Sequence, residues 1–127
     1  KGSDGYEVLS ELDLANLSSS NDEKAAALLS LSKNTHVPEL YQQIATYRYF
    51  EHIFQGTAPA EFLKELKEHL KVTHPMYISL KELEGLALLK AKDLKAAAKV
   101  FEEIAKDEKA PQGIRLRAFA LLDQMAH

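Results

Sequence analysis

The amino-acid sequence predicts an all-α fold: a short repeat solenoid of about three antiparallel helix pairs plus a C-terminal capping helix. Three observations predict it. Apolar residues recur at helical spacing, as Leu94, Ala97, Ala98, Phe101, Ile104 and Ala105 do at i, i+3, i+4, i+7, i+10 and i+11. No stretch alternates apolar and polar residues over a strand's length between turn signals. Pro38, Pro75 and Pro111 stand 37 and 36 residues apart, a period that suits two helices per repeat.

The elements follow in order. Lys1-Gly2-Ser3-Asp4-Gly5 is polar and reads as a linker or the cut end of a longer protein, with none of the pattern of a signal peptide. The helical domain is expected over 6–127, its first helix near 6–17. The second, 21–33, is announced by a capping box with Ser20 at the cap and Glu23 three residues on. Proline is tolerated in a first helical turn because the N–H it lacks would have had no partner there. Pro38, Pro59, Pro75 and Pro111 are therefore read as helix starts, giving helices near 38–55, 59–71, 75–91 and 111–126. Gly56 suits the end of the first of these. The segment 59–71 carries its stripe on Phe62, Leu63, Leu66 and Leu70, and 111–126 on Ile114, Ala118, Leu121, Leu122 and Met125. The stripe from Leu94 to Ala105 places a sixth helix at 93–107.

The chain also repeats itself. Thr35-His36 precedes Pro38 as Thr73-His74 precedes Pro75. Asn21-Asp22-Glu23-Lys24-Ala25-Ala26-Ala27 matches Lys92-Asp93-Leu94-Lys95-Ala96-Ala97-Ala98, 71 residues later. A period of roughly 34–37 residues with two helices per unit is the signature of the tetratricopeptide (TPR) repeat. Gly85, Ala97 and Phe101 sit 12 and 4 residues apart, as its small, Ala and Phe positions do. Glycine inside a helix costs roughly 1 kcal/mol against alanine. That cost makes sense where a neighbouring helix packs very close, with Ala97 expected to face Gly85 and Phe101 to fill the gap towards the next unit. The tryptophan and tyrosine of the full consensus are absent, so the repeat is degenerate. Stacking buries the apolar face that each pair leaves open, and 111–126 is expected to cap the third pair.

Composition narrows the chemistry. The chain of 127 residues is 46% apolar and 28% charged, an ordinary globular balance for one domain. Sixteen basic against 19 acidic residues leave a net charge of −3, without the basic stripe that nucleic-acid binding draws on. There is no cysteine, which excludes disulfides, thiolate catalysis and Cys-based zinc sites but does not fix the compartment. Apolar runs such as Leu86–Leu89 fall far short of the ~20 residues of a membrane span. No two histidines among His36, His52, His69, His74 and His127 are spaced i, i+4. Carboxylates at Glu61, Glu65 and Glu68 and at Glu102 and Glu103 are interleaved with Lys64, Lys67 and Lys106 and read as solvated helix faces. No nucleophile elbow or phosphate loop occurs. The expectation is no catalytic residue, no metal and no cofactor.

The order of the motifs resembles a known family. Gly5-Tyr6 opens the first expected helix, and Asn21-Asp22 with Ala25-Ala26-Ala27 opens the second. Glu84-Gly85-Leu86-Ala87 and Lys92-Asp93 with its Ala run come next, and Ala110-Pro111-Gln112-Gly113-Ile114-Arg115-Leu116-Arg117-Ala118 closes the series. This is similar to the TPR-like periplasmic domain of bacterial YfgM-type proteins, ancillary subunits of the SecYEG translocon. The closing Pro-x-Gly-Ile-Arg-x-Arg-Ala is the most specific piece. The resemblance implies a non-catalytic protein-interaction module on the periplasmic side of the inner membrane. Its implied partners are translocon subunits and periplasmic chaperones, and its membrane anchor would lie upstream of Lys1. A self-associating structural domain and a cytoplasmic TPR adaptor are the alternatives.

The binding residues are expected on the first helix of each pair, which lines the concave face of a TPR stack. Counting from Gly85, these are Glu82, Leu86, Leu89 and Lys90, and the internal repeat carries them to Gln43, Tyr47, Phe50 and Glu51. Tyr41, Tyr47, Tyr49, Phe50 and Phe54 all fall within 38–55. Most are expected in the core, with Tyr47 and Tyr49 as candidates for the concave surface, where aromatic anchors carry much of an interface's energy.

Overall fold

In a computed structural model, residues 21–126 are described. They hold six helices and no strand: α1 (Asn21–Lys33), α2 (Glu39–Ile53), α3 (Pro59–Lys67), α4 (Tyr77–Lys90), α5 (Leu94–Lys106) and α6 (Gln112–Ala126). The expected helix at 6–17 and the Ser20 cap lie outside the described residues. The chain divides at Gln55 into two compact units.

The first unit is built on the α1–α2 pair. Leu31 and Val37 bury against Ala45, with Tyr41 packed on them. The corner between the helices is tied by Asn34: its side-chain oxygen accepts from His36 N–H at 2.9 Å, and its carbonyl accepts from Val37 N–H at 3.2 Å. The Pro38 carbonyl then takes the first bonds of α2, from Tyr41 and Gln42.

The second unit holds α3 to α6. Phe62 and Leu66, one turn apart, are the buried face of α3, which packs on α4. α3 stops at Lys67 rather than near 71 because the chain tightens there: His69 and Leu70 donate to Leu66 and Lys67, three residues back. α4 and α5 run antiparallel, as the crossed pairs Gly85–Phe101 and Lys81–Glu103 require. Their three-residue turn satisfies the end of α4 with two bonds, Lys92 N–H to Leu89 O and Asp93 N–H to Leu88 O, both 2.9 Å. That geometry puts Lys92 at φ 64. Asp93 then caps α5, its side chain accepting from Ala96 N–H at 3.3 Å. α6 lies along α5, where Ala97, Val100, Phe101, Ile104, Ala105 and Ala118 form a core completed by Ile114, Leu121, Leu122 and Met125.

Two sequence expectations are corrected. The residue over Gly85 is Phe101, not Ala97: a Cβ built on Gly85 would stand 2.6 Å from Phe101 Cζ. Ala97 is fully buried in the same core but is not the group that requires a glycine. Pro75 does not start a helix either. α4 begins two residues later, with Tyr77 N–H donating to His74 O and Met76 N–H to His74 Nδ1.

The corners recur at the period of the prolines. Asp107-Glu108-Lys109-Ala110-Pro111 repeats the bonds of Asn34-Thr35-His36-Val37-Pro38. Asp107 Oδ1 accepts from Lys109 N–H at 2.9 Å, Asp107 O from Ala110 N–H at 3.0 Å, and the Pro111 carbonyl opens α6. The middle corner keeps one of these bonds, His74 N–H to Lys71 O at 2.8 Å. Lys71 has no short acceptor side chain to make the other, and this is where the helix start slips past the proline.

Candidate functional site

The expected binding residues fall into two sets, one in each unit. In the first unit Gln43, Tyr47 and Glu51 are spaced four apart on α2, so they share one face. Gln43 Nε2 donates to Glu39 at 3.4 Å and the Tyr47 hydroxyl to Glu51 Oε2 at 3.3 Å. Glu51 is exposed, and Gln43 and Tyr47 are half-buried. Phe50 is corrected: at 1% exposure it is core and offers a partner nothing. Tyr49 meets its ring edge-on, with centroids 5.2 Å apart. The aromatics of α2 thus divide by helical position, since 15 residues of helix cannot aim them all one way.

In the second unit Glu82, Leu86 and Lys90 are likewise spaced four apart, on α4. Leu86 and Leu89 pack against the α5–α6 core. Glu82 is engaged by Arg117 of α6 through two bonds, Nε to Oε2 at 2.7 Å and Nη2 to Oε1 at 3.0 Å. Lys90 is exposed and donates to the Thr57 carbonyl at 3.4 Å. Leu86 and Leu89 therefore also pack within the unit, and Glu82 also pairs with α6.

The other ionisable groups of α4 sit between helices. Burial pulls the Lys81 ammonium down, but the Glu103 carboxylate at 2.8 Å, with Tyr77 beside it, outweighs this and leaves it above its ordinary value. Burial pushes the Glu84 carboxyl up, Glu103 adds to the push, and Lys81 and Lys67 oppose it. The His74 ring is held below its ordinary value, first by burial and then by the charge of His69. Among the described residues no three His, Asp or Glu side chains are grouped to hold a metal ion, and no helix is long and apolar enough to cross a membrane.

Sequence reasoning missed the surface on α5 and α6. Leu116 and Phe119 on α6 are 57% and 54% exposed, and Leu94 at the start of α5 is 55% exposed. Between the two helices runs an open trough of about 410 Å³, floored by Leu94 and Ala98 on one side and Leu122, Met125 and Ala126 on the other. Lys95 and Glu102 stand on its rim. The signal was present in α6, whose apolar residues spread over more of the helix than one buried stripe needs: Leu116 and Phe119 lie outside the series from Ile114 to Met125.

No protein-family model, no curated protein and no solved structure matches the chain.

Proposed function

We propose that this chain is a non-catalytic protein-interaction module of TPR-like build. The observation that carries the proposal is the outward face of α6, where Leu116 and Phe119 stand in solvent three residues apart on a firmly held helix. α6 is fixed by its core contacts, by the Arg117–Glu82 pair and by Arg115 Nε donating to the Ala105 carbonyl at 3.3 Å. A rigid helix that presents a leucine and a phenylalanine can bury them on a partner with little further loss of freedom. The recurring Asx–proline corner and the close Gly85–Phe101 contact support the repeat build. The motif resemblance supplies the finer reading: translocon subunits and periplasmic chaperones as partners, at the periplasmic side of the bacterial inner membrane. The same exposed pair also favours a second reading, self-association.

Crosslinking and pull-down from a membrane extract test the proposal with two double variants, Leu116→Ser/Phe119→Ser and Tyr47→Ala/Lys90→Ala. The first is expected to lower partner recovery at least fivefold with its melting temperature within a few degrees of wild type. Loss only with the second moves the surface off α6, to the α2 stripe or to the α4 stripe, which the two single variants tell apart. Undiminished recovery with both overturns the reading. Sedimentation over a range of concentrations separates the two readings, because a monomer at all concentrations is incompatible with self-association.

A further inference from the structure

Resting on that reading, we propose that the trough between α5 and α6 receives a single amphipathic helix from a partner protein. That helix carries an acidic and a basic residue seven positions apart, set against Lys95 and Glu102.

The walls decide that the occupant is helical. α5 and α6 are helices along their whole facing length, so their backbone groups are already paired. An extended segment laid on Leu94, Ala98, Leu122 and Met125 would find no backbone partners on that floor, and burying its own N–H and C=O groups unpaired is costly. A helix brings its hydrogen bonds with it and needs to offer only an apolar stripe. Two antiparallel helices with an open seam present the ridges that a third helix packs into. Phe119 extends the wall: it shares a face of α6 with Leu122 and Ala126, at i, i+3 and i+7, and is more than half exposed.

The rim decides the charge. On the α4 side of the unit the charges are paired across helices, Lys81 with Glu103 at 2.8 Å and Arg117 with Glu82 at 2.7 Å. Lys95 and Glu102, both exposed, have no ion-pair partner among the described residues. They lie seven positions apart, two turns or roughly 10 Å along α5. A helix lying along α5 also repeats every two turns, so one acidic and one basic side chain at that spacing meet both at once, the acidic residue coming first in a helix parallel to α5 and the basic residue first in an antiparallel one. An anionic lipid surface would meet Lys95 favourably but be repelled by Glu102, so the mixed rim favours a protein helix.

Three 14-residue peptides test this. They share a leucine stripe at i, i+3, i+4 and i+7 and differ only at two rim positions seven apart, which read Glu/Lys, Glu/Glu or Lys/Lys. Each is fluorescein-labelled and titrated with the whole chain by fluorescence anisotropy. The Glu/Lys peptide is expected to bind about fivefold more tightly than the other two, because each of those replaces one exposed attraction by a repulsion. Lys95→Glu should make the Lys/Lys peptide the tightest, and Glu102→Lys the Glu/Glu peptide. Both substitutions are at exposed positions, and a melt checks that the fold is retained. Absence of binding by all three peptides, or a ranking that the two variants leave unchanged, overturns the proposal. If the peptides fail while Leu116→Ser/Phe119→Ser still lowers partner recovery, the interaction-module reading survives and the helix-in-trough inference alone falls.

Discussion

Glu84 is an acidic residue on a helix face that is half closed. Burial, with Glu103 adding like charge, raises its pKa above the ordinary 4.5. The native chain therefore holds that proton more tightly than the unfolded chain does. Below about pH 4 both states are largely protonated and Glu84 costs nothing; as pH rises through the folded-state value the carboxylate forms in a site that disfavours it, and stability falls. Glu84→Gln is expected to raise the melting temperature at pH 7, with the gain shrinking to near zero at about pH 4. Calorimetry at the two pH values checks it, and a gain independent of pH would contradict the assignment. Lys92 is the other residue under tension. It adopts φ 64 to close the end of α4, a conformation that costs an L-residue with a Cβ roughly 1–2 kcal/mol. Lys92→Gly should stabilise the chain by about 0.5–1 kcal/mol, the gain being trimmed by glycine's freedom in the unfolded state. A urea midpoint unchanged or lowered by that substitution would show that the lysine is not strained there.

At the scale of elements, the α4–α5 contact turns on one missing side chain. Gly85 and Phe101 approach so closely that a Cβ would sit 2.6 and 2.7 Å from two ring carbons. The ring tip has little room to yield, because Phe101 is 0% exposed. Gly85→Ala should cost about 1–3 kcal/mol and Gly85→Leu more, since overpacking moves helices as well as rotamers. Phe101→Leu removes the ring tip and should relieve the clash. The double variant Gly85→Ala/Phe101→Leu is therefore expected to be more stable than the two single costs added together, with a coupling of about 1 kcal/mol or more in denaturant melts. Additive costs would place the ring elsewhere. The glycine's importance was legible in the sequence, because a mid-helix glycine needs a reason. Which residue supplies the reason was not, because Ala97 and Phe101 lie one turn apart on the same stripe and spacing alone does not say how far a ring reaches.

At the scale of the whole molecule, the described chain is two compact units, each with apolar residues of its own to bury. In the second unit α6 supplies Ala118 to the core and lays Ile114, Leu121, Leu122 and Met125 over Phe101 and its neighbours. A chain ending at Ala110 would expose that surface. Four half-buried apolar side chains and an alanine contribute on the order of 5 kcal/mol, comparable with the whole stability of a small domain. The truncated chain is expected to lose its cooperative melt and to aggregate. A soluble truncation with a sharp transition would make α6 an appendage instead of part of the core.

Helix existence and order were determined by the sequence itself. Apolar period, proline and Asx residues act over a few neighbours, and α1 runs over 21–33 as its pattern predicts. The starts at Pro38, Pro59 and Pro111 hold to within a residue for the same reason, whereas Pro75 fails because the bonds of the His74 ring and carbonyl belong to a corner without an Asx residue. The fate of individual aromatic and charged side chains was decided only by tertiary structure. Phe50 and Tyr47 are both aromatic and three residues apart, yet one is core and the other half-open; Glu82 and Glu102 are both surface-type carboxylates, yet Arg117 holds one while the other stands on the rim of the trough. Those outcomes depend on what neighbouring helices bring to the same place, a relation between residues dozens of positions apart that no local period encodes.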